Sequence, residues 1–337
     1  MTWSDFFPAD TEVQALPSWR SPRLYIPAAS IKQRWRRSAF FPAYRKSAIL
    51  FRAGLRTAVT VKPSTRKTNG SEKDWGLGLF VRNVLPLAQS VSLLVGTDGP
   101  AQKATLQLCD GDDNVIGYVK YGETASAIAG IRNEVDILRT IPEDLCPQLL
   151  HAGEFAEGFA MVTSNIEGSA IPASLPPVED VVRFQDRLVS TETAPADSHP
   201  ALKEILQGEK RNWVTTLCGK DWPIALQHGD FAPWNLKKCG AQIRAFDWEY
   251  ATTTGFPYLD LAFFSLQTDV KIYHAQPGDA FQRAKTILAE HPQVGPEYAA
   301  VIVRIAAFDA FDKGIRDGHD PDAALQAWYR GVWEAQG

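Results

Sequence analysis

From residue 90 to residue 162, hydrophobic and polar positions alternate along much of the chain, as they do in β-strands. Five segments have this pattern and are predicted strands: 91–95, 104–108, 115–120, 149–155 and 159–162. Turn-forming residues at 96–100 and 110–114 join the first three as hairpins. Over 125–140 the apolar spacing changes to three and four residues, which predicts a helix.

From residue 178 onward the spacing is mostly helical. Six helices are predicted: 178–188, 202–217, 258–266, 280–289, 297–316 and 321–334. A polar loop over 191–200 separates the first two. A β-rich segment followed by a helical one predicts an α+β fold with two lobes. The small N-lobe is expected over 76–166 and the larger helical C-lobe over 167–337.

Residues 1–75 are interpreted as an N-terminal extension whose structure the pattern does not define. Pro42 is expected to interrupt any helix there, and 62–73 is predicted to be a loop. Thirteen of the 35 Lys and Arg residues lie between Arg20 and Ser71, a stretch without Asp or Glu. The rest of the chain has 22 basic and 39 acidic residues. The net charge of −4 therefore conceals a basic extension on an acidic body.

Composition narrows the class of protein. The 337 residues are 45% hydrophobic, yet they contain no apolar run near the length of a membrane span. The first residues show no basic segment followed by an apolar one, so a cytoplasmic protein is expected. The cysteines are scattered without a CxxC pair, which argues against a zinc site or a disulfide framework and predicts free thiols. They are Cys109, Cys146, Cys218 and Cys239.

Candidate catalytic residues concentrate between residues 226 and 249. His228-Gly229-Asp230 is followed by Asn235 and, twelve residues later, by Asp247-Trp248-Glu249. Phosphoryl transfer needs a carboxylate near the attacking hydroxyl and oxygen ligands that hold magnesium against the nucleotide phosphates. Asp230 is the candidate catalytic carboxylate. Asn235 and Asp247 are the candidate magnesium ligands.

These motifs resemble the H-G-D-x-x-x-x-N and D-W/F-E segments of the aminoglycoside phosphotransferase and choline kinase family, which shares the protein-kinase-like fold. Residues 255–262 resemble the G-x-P-x-x-D-L-A helix start that follows in that family. The resemblance covers roughly 91–332 and implies ATP and Mg²⁺ as cofactors, with GTP left open. It also implies structural support from His228, through hydrogen bonds to the loop, and from Asp260, which caps its helix and bonds the loop.

A lysine and a glutamate are the predicted phosphate-binding pair of the N-lobe. Lys120 ends a predicted strand, and Glu134 follows fourteen residues later on the predicted helix. Glu123 is the competing carboxylate, but it lies too near the turn to reach back toward the lysine. The resemblance implies that the lysine reaches the α- and β-phosphates.

Two further nucleotide contacts are expected. Lys103 follows the turn at 96–100, which is not a G-x-G-x-x-G motif, and is a candidate phosphate contact. In the connector 163–168, backbone groups around Thr163, Ser164 and Asn165 are expected to face the base.

The leading hypothesis is a kinase that transfers the γ-phosphoryl group to a hydroxyl of a sugar or glycoconjugate, an aminoglycoside or a choline-like amine. The alternative is a catalytically weak pseudokinase that acts as a nucleotide-binding scaffold at a membrane or polysaccharide-assembly complex. Protein phosphorylation is disfavoured because no recognisable activation segment lies between Asp247 and Gly255, which are only eight positions apart and leave little room to dock an extended peptide. Candidate acceptor contacts are Trp248, Asp269, Asp309, Asp312, Asp317 and Trp328.

Three interpretations of the basic residues at 20–67 remain open. They form a solvated surface packed on the acidic body, or they attach the protein to anionic lipid, or they bind an anionic substrate. Nucleic acid is less suited as a partner. The lipid interpretation rests on cations interleaved with aromatic residues, a combination that suits the membrane interface. It would place the protein peripherally at the inner face of the membrane. Those aromatic residues are Trp35, Phe40, Phe41, Tyr44 and Phe51.

Overall fold

The computed structural model describes residues 2–41, 43, 46–61, 64–68, 75–172, 178–208 and 210–335, without the side chains of residues 46, 47, 58, 60 and 61. The chain divides into two compact units. The first comprises Met1–Arg139 and Pro147–Ile166, and the second comprises Thr140–Cys146 and Glu167–Gly337. The predicted α+β class, with a β-rich part followed by a helical part, is confirmed.

An antiparallel sheet is the centre of the first unit. Its strands are β1 (Glu12–Ser18), β2 (Ser21–Pro27), β3 (Thr65–Lys67), β4 (Ser90–Val95), β5 (Ala104–Cys109), β6 (Val115–Gly122), β7 (Leu149–Phe155) and β8 (Gly158–Ser164). Their order across the sheet is β3, β1, β2, β4, β5, β6, β8, β7. The helices of this unit are α1 (Ile31–Arg37), α2 (Lys46–Val61), α3 (Gly76–Val81) and α4 (Ala125–Leu138).

The N-terminal extension contributes three strands to this sheet and is not a separate segment. In the pairing of β2 with β4, Leu24 lies opposite Leu94. The predicted loop at 62–73 contains β3, an edge strand with exposed Arg66 and Lys67. Such a short, charged edge strand has no apolar alternation, so the sequence pattern does not identify it. Pro42 and residues 62, 63 and 69–73 lie outside the described part of the chain.

The sheet has a hydrophobic core on each face, and β2 contributes to both. Leu24 and Ile26 are fully buried and pack with Leu55 and Val59 of α2. Tyr25, which points to the opposite face, joins a cluster that includes residues of β4, β5, β6 and α3. Each fully buried aliphatic side chain stabilises the fold by about 1.5–3 kcal/mol. This packing fixes α2 against the sheet.

The second unit is mainly helical. Its helices are α5 (Val178–Asp186), α6 (Lys203–Gln207), α7 (Arg211–Leu217), α8 (Leu259–Thr268), α9 (Pro277–Ala289), α10 (Pro296–Arg316) and α11 (Ala324–Glu334). Its strands are β9 (Ser169–Ala170), β10 (Val189–Pro195), β11 (Asp221–Gln227), β12 (Leu236–Cys239), β13 (Gln242–Ala245) and β14 (Thr252–Gly255). They form two small sheets, β10-β11-β14 and β13-β12-β9.

Two sequence predictions for this unit are wrong. The predicted loop at 191–200 begins as β10, which pairs with β11. Most side chains of β10 are exposed, so this edge strand lacks the hydrophobic alternation that would identify it. The single helix predicted over 202–217 is two short helices, α6 and α7. Gly208, which has extended backbone at the end of α6, terminates the first of them.

No helix among the described residues is both long enough and apolar enough to cross a lipid bilayer.

Candidate active site

The loop between β11 and β12 carries the His-Gly-Asp motif. His228 is fully buried, and its Nδ1 accepts a hydrogen bond from the backbone N–H of Asp230 at 3.2 Å. Its Nε2 therefore carries the proton and donates to the carbonyl of Phe246 at 3.0 Å. This neutral imidazole joins the start of the loop to the segment that precedes Asp247.

Asp260 in the first turn of α8 supports the same loop. Its two carboxylate oxygens accept the backbone N–H groups of His228 and Gly229, at 2.6 and 3.0 Å. Burial raises the pKa of Asp260 to about 7, and the two N–H donors oppose this shift. The residue at the helix N-cap is Tyr258, in the left-handed conformation, so Asp260 bonds the loop instead of occupying the predicted cap position.

Gly229 permits the sharp turn that precedes Asp230. Its φ angle is +77°, and a Cβ atom there would lie 2.4 Å from the carbonyl oxygen of Tyr250. Another amino acid would meet both left-handed strain and a backbone clash. The glycine therefore allows the loop to approach the chain beyond Asp247.

Asp230 and Asn235 are joined by two hydrogen bonds. The side-chain Nδ2 of Asn235 donates to the backbone carbonyl and to the Oδ2 of Asp230, at 2.9 Å each. Desolvation raises the pKa of Asp230 to about 6, as do the nearby carboxylates of Asp247 and Asp317. Lys313 and the hydrogen bond from Asn235 lower it. The residue as a whole remains partly exposed.

The hairpin of β12 and β13 places Asn235 beside the Asp247 segment. Leu236 pairs with Ala245, and the backbone N–H of Phe246 donates to the carbonyl of Asn235 at 3.0 Å. Asp247 follows directly in the left-handed conformation, with φ +71°. The antiparallel register of β12 and β13 thus brings Asn235 and Asp247, which are twelve positions apart, close together.

The donor chemistry of this pair fits a magnesium ion. Because both amide hydrogens of Asn235 point to Asp230, its Oδ1 is the atom left for a cation. The Asp247 carboxylate would be the second protein ligand, and Mg²⁺ prefers such oxygen donors. The described residues contain no cluster of three or more His, Cys, Asp or Glu side chains placed to hold a metal. Mg²⁺ is commonly held by one or two protein ligands together with phosphate oxygens and water.

Lys313 of α10 is a functional candidate that the sequence did not indicate. Its Nζ donates to the carbonyl of Gly229 and lies 4.9 Å from the centre of the Tyr250 ring. The Tyr250 hydroxyl in turn donates to Asp317 at 2.9 Å. The only hint of this role in the sequence is that Lys313 is a lone lysine among Asp309, Asp312 and Asp317. Only the fold shows that it reaches the catalytic loop.

The candidate acceptor contacts separate into groups. Asp317 and Asp309 are near the loop, since they shift the pKa of Asp230 and of Asp260 respectively. Asp312 forms a solvent-facing ion pair with Arg316 at 3.0 Å. Trp248 is fully buried and packs on the His228 ring at 4.4 Å between centres, so it supports the loop from within the core. The other two are engaged elsewhere in the unit: Asp269 pairs with Arg283, and Trp328 donates to the carbonyl of Ala275.

The predicted lysine–glutamate pair is present in the first unit. Lys120 of β6 and Glu134 of α4 are 2.5 Å apart, and the Glu134 side chain is almost fully buried. Glu123 instead accepts a hydrogen bond from the Tyr121 hydroxyl at 3.0 Å. The register of β6 between β5 and β8 fixes the lysine, because Lys120 lies opposite both Thr105 and Met161.

Lys103 lies just before β5 and is half-buried, at the end of the β4–β5 hairpin. Its carbonyl accepts the N–H of Gly96 at 2.8 Å. A Cβ atom on Gly96 would approach that carbonyl oxygen to 2.7 Å, so the hairpin closes tightly only with glycine.

Ser164 and Asn165 lie at the end of β8. The Ser164 hydroxyl accepts the N–H of Gln148 at 2.9 Å, and the Ser164 N–H donates to the Gln148 carbonyl at 2.9 Å. The Asn165 N–H donates to Ile116 at 3.3 Å. The backbone N–H groups of Ser164 and Asn165 are thus bonded within the unit.

No protein-family profile matches the chain, and no curated protein matches it either. Solved structures resemble it in backbone trace at low identity. A thermostable mutant of the aminoglycoside phosphotransferase APH(4)-Ia is 15% identical, with a TM-score of 0.49, covering 76% of this chain and 96% of its own. The Plasmodium vivax ethanolamine kinase Pv091845 is 10% identical, with a TM-score of 0.45, covering 79% and 89%.

Proposed function

We propose that the protein is an ATP- and magnesium-dependent kinase that phosphorylates a hydroxyl of a small molecule. The observation that carries this proposal is the double hydrogen bond from Asn235 to Asp230 beside Asp247. In this arrangement Oδ1 of Asp230 would serve the substrate, and Oδ1 of Asn235 and the carboxylate of Asp247 would serve the metal. Phosphoryl transfer requires these groups together.

Asp230 would orient the acceptor hydroxyl and receive its proton. The hydrogen bond from Asn235 occupies Oδ2, which leaves Oδ1 for the hydroxyl. Positioned acid–base groups of this kind contribute roughly 10²–10⁴-fold to a rate. Lys313 and Asp260, which hold the backbone of Gly229, would keep the carboxylate in place.

Magnesium, when bound, would neutralise charge on the nucleotide phosphates. Asn235 and Asp247 would hold it through Oδ1 and a carboxylate oxygen. In the first unit Lys120, oriented by Glu134, would contact the α- and β-phosphates, and Lys103 is the further candidate for a phosphate contact.

The acceptor is proposed to be a sugar-type hydroxyl, with aminoglycosides and choline-like amines as the other candidates. Tyr250 and Asp317 form a hydrogen-bonded pair near Asp230 and offer a phenol and a carboxylate. Such groups suit hydroxyl-rich or aminated ligands. A cationic acceptor would gain further from the carboxylates of Asp309 and Asp317.

The first test is the thermal shift of the purified protein with ATP or with GTP, each with Mg²⁺ and with EDTA. A ligand that binds only the folded state raises the melting temperature. We expect a magnesium-dependent rise, and the more effective nucleotide then serves in assays with sugars, aminoglycosides and choline-like amines. No rise with either nucleotide would contradict the proposal.

A further inference from the structure

Helices α1 and α2 of the first unit present large apolar side chains to solvent. Leu50 is 74% exposed and Ile31 is 60% exposed. Trp35, Ile49 and Phe51 are also exposed. Single exposed apolar residues are ordinary, but four on two neighbouring helices, Ile31, Trp35, Ile49 and Leu50, form a patch of the kind that marks a contact surface.

Cations lie directly beside these apolar residues. Lys32 and Arg36 are exposed and one helical turn apart on α1, next to Ile31 and Trp35, which are also one turn apart. Within the described ranges, neither cation contacts a carboxylate. No Asp or Glu occurs anywhere from residue 20 to residue 71. The surface is thus both apolar and uniformly positive.

Contacts between the helices make the patch continuous. The Arg56 guanidinium of α2 stacks on the Trp35 ring at 4.2 Å from its centre and donates to the Trp35 carbonyl at 3.0 Å. Ile49 precedes Arg56 by seven residues, so both lie on the same side of α2. Phe51 lies on the other side of α2, where its ring is 6.0 Å from that of Phe41, and is not part of this patch.

The two helices are anchored to the sheet by residues other than those of the patch. Leu55 and Val59 pack with the core of β1 and β2. Arg37, at the end of α1, forms a buried ion pair with Asp113 at 2.7 Å and donates to the Ser90 hydroxyl at 3.0 Å. The exposed side chains are therefore not required to hold the helices in place.

We propose that the surface composed of Ile31, Lys32, Trp35, Arg36, Ile49 and Leu50 docks on membranes that contain anionic lipids. Aliphatic side chains gain by entering the boundary between headgroups and acyl chains. Tryptophan is favoured at that boundary, and lysine and arginine attract anionic headgroups. A nucleic acid would satisfy the cations but leave Ile31 and Leu50 in water.

The test is flotation of the full-length protein with vesicles of phosphatidylcholine, with or without phosphatidylglycerol. We expect binding only when the anionic lipid is present. Neutralising two cations with Lys32→Gln and Arg36→Gln should weaken binding roughly 25-fold, since each contributes about a factor of five. Leu50→Ser should weaken it about tenfold or more through lost apolar burial. Added salt should weaken the charge-dependent part.

Matched controls come from the same unit. Leu87 is 66% exposed and Arg82 is exposed, and both lie outside the surface. Leu87→Ser and Arg82→Gln should bind vesicles as the unmodified protein does. Absence of vesicle binding, or equal losses in the controls, would overturn the proposal. So would variant-sensitive binding to a short RNA without binding to vesicles. Phosphoryl transfer plays no part in this measurement.

Discussion

The side-chain amide of Asn235 donates to both the backbone carbonyl and the carboxylate of Asp230, at 2.9 Å each. One residue therefore orients the proposed catalytic carboxylate and turns its own carbonyl oxygen toward the proposed metal. This relationship separates two functions that can be tested independently, namely acceptor activation and metal binding.

Asp230→Asn tests acceptor activation. The amide retains the size of the side chain but cannot take up the proton of a hydroxyl. We expect nucleotide-dependent thermal stabilisation to persist while turnover falls roughly 10²-fold or more. The measurements are thermal shift and steady-state kinetics on the same preparation. Retained turnover would show that Asp230 has no catalytic role.

Asp247→Ala tests metal binding. Loss of this carboxylate should remove most of the magnesium-dependent part of nucleotide binding, because Asn235 alone is a poor ligand set. Calorimetric titration with ATP and Mg²⁺ measures the change. Asp312→Ala is the control, since Asp312 only pairs with Arg316 on the surface of α10. Equal affinities in the two variants would exclude Asp247 as a ligand.

Glu134→Gln tests the orientation of Lys120. The substitution preserves shape but removes the charge that holds the ammonium group at 2.5 Å. A hydrogen bond to a charged group contributes about 1.5–3 kcal/mol, so the KM for nucleotide should rise about tenfold or more. Glu123→Gln, whose partner is Tyr121, should leave the KM unchanged. A similar KM in both variants would argue against a phosphate-binding role for Lys120.

Asp260→Ala should destabilise the second unit. It leaves the backbone N–H groups of His228 and Gly229 buried without acceptors, at a cost of roughly 2–5 kcal/mol in the free energy of unfolding. Urea denaturation measures this. Asp279→Ala is the control, because Asp279 also lies in the first turn of a helix but is exposed. If Asp260→Ala and Asp279→Ala lowered the free energy of unfolding equally, the loss would come from the helix terminus and not from the bonds to His228 and Gly229.

The contribution of His199 to the free energy of unfolding should fall as the pH decreases below about 6.5. Burial lowers the pKa of His199, whose Nδ1 accepts the N–H of Ala201 at 3.3 Å and whose Nε2 faces the carbonyl of Pro223 at 3.3 Å. The unfolded chain takes up a proton at mildly acidic pH that the folded protein excludes. The stability difference between the unmodified protein and His199→Gln should therefore shrink from pH 7.5 to pH 5.5. A constant difference would refute this contribution.

Sequence analysis identified the loop residues because their relationships are local or set by regular pairing. Asp230 and Asn235 are five residues apart, and the β12–β13 hairpin brings Asp247 to them. Lys120 and Glu134 are joined by a strand and the helix that follows it. The prediction rested on the resemblance of these residues to kinase motifs, and the short spacing and regular elements are what bring them together in the fold.

The remaining features depend on long-range packing that no local pattern encodes. Lys313 reaches Gly229 across more than eighty residues of sequence, because α10 packs against α8. Strands β3 and β10 lie at sheet edges, where exposed side chains conceal the alternation. Strands β1 and β2 of the extension are largely buried, but the prolines within them, Pro17, Pro22 and Pro27, obscure the strand pattern in the sequence.

The three strands of the extension have a practical consequence for anyone who shortens the chain. A recombinant fragment that began at Gly76 would expose the hydrogen-bonding edge of β4 that β2 covers. It would also leave the buried carboxylate of Asp113 without the guanidinium of Arg37. Both defects favour misfolding and edge-to-edge aggregation. Loss of activity in such a truncation would therefore measure damage to the first unit, and only point substitutions can separate the proposed lipid docking from the proposed catalysis.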